Sequence, residues 1–167
     1  MSKVRRVWRS KEARSVRDAL LCYAERGVLA DFNAGKLRLG RMTFTVLPHA
    51  GRTYRLLLDV DAGTLHLSGL LPGIRERSSL FRELKSLLLR LAAGELSPMR
   101  LDLEKGELQL LEDSVGITLA MRVRDSEYEY CARRLLDCAN EISRAFADTR
   151  SHSEEVRGVT QAIEALH

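Results

Sequence analysis

Four histidines, three cysteines and a few carboxylates are the residues of this chain best suited to catalysis or metal binding. His49 sits in a turn beside Gly51, and His66 lies inside an alternating apolar run. His152 and His167 fall in a polar C-terminal segment. No two share the H-x-x-x-H spacing that sets two imidazoles on one helical face over a zinc ion. Cys22, Cys131 and Cys138 are odd in number, and each falls on an apolar helical stripe. They read as small buried hydrophobes, not as metal ligands or a disulfide framework. Asp59, Asp61, Asp102 and Glu104 stand at strand ends, where carboxylates mark turns. The chain has no G-x-S-x-G elbow, no phosphate-binding G-x-x-x-x-G-K-[ST] and no G-x-G-x-x-G. The expectation is a protein that is not an enzyme and uses no cofactor and no metal.

The elements that could position a binding function are clearer. The chain has 167 residues, 45% hydrophobic and 30% charged, which suits one domain with a real core. Ser10 caps a helix predicted from Lys11 to Arg26, with Gly27 as its stop. Its stripe is Ala13, Val16, Leu20 and Tyr23, widened by Leu21 and Cys22. A short strand is expected at 36–39. "MTFTVLP" follows, with Met42, Phe44 and Val46 on one face and Thr43 and Thr45 on the other. "YRLLLDVDAGTLHLSG", residues 54–69, reads as a hairpin turning at Asp61-Ala62-Gly63. Together these form an antiparallel meander with one buried face.

A second helix is expected from Ser78 or Ser79 to Ala93, with Gly94 at its end. Leu80, Phe81, Leu84, Leu87, Leu88, Leu89, Leu91 and Ala92 exceed a single stripe. That excess places Leu84, Leu87, Leu88, Leu89 and Leu91 at a homodimer contact. "MRLDLEKGELQLLE" reads as a second hairpin turning at Lys105-Gly106, and "ITLAMRV" continues it or adds a strand. Ser126 and Glu129 have capping-box spacing before a helix whose stripe is Tyr128, Cys131, Leu135, Cys138, Ile142 and Ala145, with Phe146 beside it. A polar linker, 148–158, then leads to a short terminal helix. The expected organisation is a flexible basic arm at 1–9, one α+β domain at 10–148, and the linker with its helix at 149–167. The order is α-β-β-β-α-β-β(-β)-α, an antiparallel sheet with helices packed on it.

Charge is uneven. Lys3, Arg5, Arg6, Arg9, Lys11, Arg14 and Arg17 face Glu12 alone in residues 1–17, a net +6 against +4 for the whole chain. The rest is close to neutral, so any attraction to nucleic acid would come from the arm, through Arg5, Arg6 and Arg9. Aromatic residues are only 5%, and no strand carries a stacking signature for RNA. No stretch approaches the 18 or so apolar residues of a membrane span. MSKVRRVWRS has charge with no apolar run behind it, so it does not read as a signal peptide, and the cytoplasm is expected.

"YRLLLDVDAGTLHLSGLLPGI", "SLFRELKSLLLRLAAG", "RLDLEKGELQLLED" and "EVRGVTQAIEALH" resemble the central strands, second helix, following hairpin and tail of one superfamily. It is that of the type III secretion chaperone-like proteins, which holds the Tir-chaperone (CesT) class and the YbjN class. The resemblance spans roughly 11–148 and rests on pattern. It implies a small bacterial protein, a homodimer, that holds an extended segment of a partner protein such as a secretion effector. The alternatives are a YbjN-like regulatory adaptor, which the basic pI near 9.2 fits better than the typically acidic secretion chaperones, and nucleic-acid binding through the arm. An extended segment binds a sheet through main-chain hydrogen bonds and side-chain pockets. The candidate contacts are apolar residues on otherwise polar strand faces: Leu47, Leu57 and Leu111.

Overall fold

The computed structural model describes residues 10–49, 52–69, 78–95, 101–113 and 116–165. Helix α1 (Lys11–Glu25) opens on Ser10, whose Oγ accepts from the Ala13 amide at 3.2 Å. It closes on Gly27 at φ +74, with Gly27 N bonded to Ala24 O and Val28 N to Tyr23 O. That pair of bonds is a Schellman cap. Helix α2 (Ser79–Ala92) uses the same grammar. Ser78 Oγ accepts from Phe81 N, and Gly94, at φ +76, and Glu95 return their amides to Leu91 O and Arg90 O. Both helices start and stop where Ser and Gly predict.

The strands are β1 (Leu29–Ala34), β2 (Arg41–Pro48), β3 (Tyr54–Asp59), β4 (Thr64–Ser68), β5 (Gly106–Asp113) and β6 (Gly116–Val123). They form one antiparallel sheet in the order β1-β2-β3-β4-β6-β5. The fold is α+β, a meander followed by a hairpin, with β6 beside β4 and β5 at the rim. Register puts Phe44 opposite Leu56, Leu56 opposite Leu67, Leu67 opposite Leu119 and Leu119 opposite Leu110. Met42, Leu58, Leu65, Met121 and Leu108 make a parallel row. These rows face the helices and join one apolar core with α1, α2 and α3 (Tyr128–Ala165).

Several expectations are corrected. Residues 36–39 are not a strand. Arg38 and Arg41 exchange main-chain bonds around Leu39 (φ +50) and Gly40 (φ +74), a two-residue turn of primed type. Leu39 is 94% exposed there. The first strand lies earlier, at Leu29–Ala34, where only Leu29 is buried and Phe32 half-buried. The second hairpin does not turn at Lys105-Gly106. Asp102 Oδ1 accepts from Glu104 N, and Asp102 O accepts from the Lys105 and Gly106 amides, so residues 102–105 are a turn that launches β5. The hairpin partner of β5 is β6. Space explains the glycine: a Cβ on Gly106 would meet Cys131 Sγ at 2.6 Å.

The capping box does not form. Asp125 and Ser126 both have positive φ, Ser126 O accepts from Tyr128 N, and Glu129 pairs with Arg133 at 2.7 Å. Ala145 is exposed, while Tyr128, Cys131, Leu135, Cys138, Ile142 and Phe146 are buried as expected. No linker interrupts the last helix, because α3 runs 38 residues, about 57 Å, through the segment read as a polar linker. Leu84, Leu88 and Leu91 are 1%, 6% and 0% exposed within the single chain, so they are core residues and not free surface for a mate. Of the five leucines assigned to a dimer contact, Leu87 is half-buried and Leu89 is 65% exposed.

Candidate functional site

Alternation along each strand gives the sheet a second face, turned away from the helices. Its central row runs Thr43, Leu57, His66, Ala120, Gln109 in direct cross-strand register. Thr43, Leu57 and His66 are half-buried and Gln109 is exposed, so among the described residues this face carries no layer comparable to the helices. Ala120 is buried: a single methyl, it sinks between the larger His66 and Gln109 on either side. His66 Nε2 shares a 3.1 Å hydrogen bond with Thr64 Oγ1 on the same strand, a contact that orients the ring without engaging a second titrating group.

The rim of this face is charged and paired in part: the exposed Arg55 and Arg122 stand on it without an ion pair among the described residues. Arg41 bonds Asp59 at 3.0 Å across β2 and β3, and Arg124 lies 3.5 Å from Glu107. The Ala62 amide, and then Arg41, hold the Asp59 carboxyl below its usual range. Asp59 therefore both closes the Asp61-Ala62-Gly63 turn and balances Arg41. A centre of threonine, leucine and histidine offers side-chain pockets to an extended ligand.

Leu47, Leu57 and Leu111 all lie on this face, yet in three different rows. Leu47 stands opposite Asp31, Leu57 opposite Thr43 and His66, and Leu111 opposite Thr118. Strand and residue spacings put Leu57 roughly 14 to 16 Å from either of the others. They are separate footholds and not one pocket. Leu57 is central, and Leu111, 39% exposed, is at the rim. Arg5, Arg6 and Arg9 of the basic arm lie outside the described residues.

No family model, curated protein or solved structure matches the chain. The candidate face therefore stands on its own geometry. Among the described residues, no three His, Cys, Asp or Glu side chains gather where a metal could be held. No described helix is long and apolar enough to cross a membrane.

The helix layer holds a polar contact that sequence alone did not disclose. Tyr23 Oη of α1 donates to Asp137 Oδ1 of α3 at 2.6 Å, and Arg134 lies 3.3 Å from the other carboxylate oxygen. Burial, reinforced by this bond to Asp137, pushes the Tyr23 hydroxyl above its ordinary value. Both residues sit on helical patterns, but nothing local pairs positions so distant in the chain. Nearby, Cys131 Sγ donates to Lys105 O at 3.4 Å, and burial pushes the Cys131 and Cys138 thiols up to about 12. A thiol is nucleophilic only as thiolate. In the native protein a thiol-reactive chromogen is therefore expected to count at most one group, the half-buried Cys22, and three after denaturation. Rapid native labelling of Cys131 or Cys138 would contradict their placement in the core.

Proposed function

We propose that this chain is a non-catalytic, chaperone-like binding protein of the bacterial cytoplasm that holds an extended segment of a partner protein, such as a type III secretion effector. The observation that supports this most directly is the sheet face that no described helix covers, with Leu57 half-buried at its centre. Such a face offers alternate pockets to an extended chain, while the sheet rims offer main-chain donors and acceptors. Both act without a reactive group. The topology α-β4-α-β2-α also accords with the secretion-chaperone-like order expected from the sequence.

The test is a pull-down from the native host with nuclease treatment, followed by hydrogen exchange on the complex. A bound partner is expected to protect β3 and β4, to map to a short extended segment, and to survive raised salt. Leu57→Glu should abolish capture while leaving the melting temperature nearly unchanged, because Leu57 is only half-buried. A complex lost after nuclease, with steep salt dependence, would transfer the function to Arg5, Arg6 and Arg9 and reject the sheet as the site. Capture of a folded partner that leaves β3 and β4 unprotected would favour the YbjN-like regulatory adaptor.

A further inference from the structure

The face turned away from the helices carries charge as well as Leu57. Arg41 and Arg124 are matched to Asp59 and Glu107. Asp31, at the β1 rim, accepts from the Phe32 amide at 2.8 Å. Arg55 and Arg122 remain. Both are exposed, and neither has an ion pair among the described residues. Glu107 stands directly opposite Arg122 in register, yet its carboxylate lies by Arg124, 3.5 Å away.

Register fixes how these two cations are spaced. Arg55 of β3 is opposite Ser68 of β4, and Arg122 of β6 is opposite Thr64 of β4. His66 lies on β4 midway between Ser68 and Thr64, on the same face. Arg55, His66 and Arg122 therefore form one diagonal across β3, β4 and β6. Diagonal neighbours on a sheet face are about 7–8 Å apart, so the two arginines stem from points about 15 Å apart with the imidazole between them. The 3.1 Å bond to Thr64 Oγ1 steadies that ring, and half-buried Leu57 flanks it on β3.

The aromatic residues of the described strands, Phe32, Phe44 and Tyr54, all belong to the helix side. The diagonal thus offers cations with no platform on which a base could stack. Single-stranded nucleic acid uses both. A carboxylate needs only the guanidinium.

We propose that this face holds an acidic extended segment of the partner, with two carboxylates four residues apart, one on Arg55 and one on Arg122. This rests on the reading of the same face as the binding site, and adds the partner's chemistry to it. Same-side residues of an extended chain recur about every 6.6 Å, so positions i and i+4 span about 13 Å, and side-chain reach covers the remainder. Position i+2 falls over His66, where an amide or hydroxyl can hydrogen-bond to the ring, with Leu57 beside it. Two exposed ion pairs add little affinity by themselves. Their effect is selection: they favour an acidic segment over a neutral or basic one and align it with the diagonal. The salt dependence is that of two charges, shallow beside that of a nucleic-acid complex.

The experiment is a titration of the full chain with short synthetic peptides, followed by amide chemical shifts. The probe is Thr-Glu-Thr-Gln-Thr-Glu-Thr, and its controls carry Gln or Lys in place of both Glu residues. Saturable shifts on β3, β4 and β6 are expected with the Glu peptide and with neither control. Arg55→Gln combined with Arg122→Gln should weaken binding roughly ten-fold at an unchanged melting temperature, since both residues are exposed. Arg55→Glu combined with Arg122→Glu should reverse the preference, to the Lys peptide. Equal binding of the three peptides overturns the proposal, as does Glu-peptide binding indifferent to both double variants. Shifts confined to α1 overturn it too, as does a thymidine oligonucleotide that occupies the diagonal more tightly than the Glu peptide. In the native-host capture, a partner lost with Leu57→Glu but unaffected by the Gln pair would overturn the acidic assignment and leave the face as the binding site. A chain that binds the Glu peptide along the diagonal yet captures no extended partner would keep the acidic site and reject the partner-holding reading.

Discussion

Phe44→Ala is expected to cost about 3–5 kcal/mol, a large share of the total stability of a domain this size. Phe44 is fully buried, in register with Ala34 on one side and Leu56 on the other. It lies in the row that faces the helices, inside the shared apolar core. With a urea m-value of about 1–3 kcal/mol per molar, the unfolding midpoint should fall by about one molar or more. Its neighbour supplies the control. Thr45 lies one residue on, on the opposite face, half-buried. Thr45→Ala should move the midpoint little, within about 0.5 kcal/mol. Equal effects at the two positions would mean that the faces of β2 are misassigned.

The second large effect is alkaline. Burial raises the Cys138 and Cys131 thiols from 9.0 to about 12, and it also lifts the hydroxyls of Tyr23, Tyr54 and Tyr128 above their ordinary value. Between pH 9 and 12 the unfolded chain releases thiol protons that the folded chain keeps. The unfolded state then binds fewer protons, so stability falls as pH rises, by up to about 1.4 kcal/mol per pH unit for each such group. Below about pH 8 these groups contribute little slope. Urea midpoints should therefore be nearly insensitive to these groups from pH 7 to 8 and decline with increasing slope above that. The variant carrying Cys131→Ala and Cys138→Ala should lose most of the decline between about pH 8 and 9, where the tyrosines contribute least. An unchanged slope in that variant would remove the thiols as its source.

The central strands were legible because each has one buried and one half-exposed face, so Met42, Phe44, Val46, Tyr54, Leu56, Leu58, Leu65 and Leu67 alternate cleanly. β1 was not, because an edge strand with a register shift buries little, and "LADFNA" shows no period. The C-terminal half of α3 was read as a linker for a related reason. "DTRSHSEEVRG" lacks an apolar stripe, yet it contains no proline, and its single glycine comes at position 158. Helix-forming residues can carry a helix that a core-seeking reading overlooks. Lys105-Gly106 looked like a hairpin tip because Gly usually marks one. Here the glycine answers to Cys131, contributed by a helix that follows later in the chain. For the candidate face, parity assigned Leu47, Leu57 and Leu111 to the polar side of their strands. The distance of Leu111 from the other two depends on β4 pairing with β6 instead of β5, a long-range choice that no local pattern encodes.

That strand order also governs the chain as it emerges from the ribosome. The meander through β4 is local and can close early, but on the side away from β3, Leu65 and Leu67 of β4 find their partners only in Met121 and Leu119. At synthesis rates of about 5–20 residues per second, the growing sheet presents an incomplete rim for some seconds. For that interval β4 is an open edge with the core leucines behind it, the same kind of edge that β5 presents once synthesis is complete. The nascent chain thus passes through a stage at which it is itself a client, needing shelter for an extended strand.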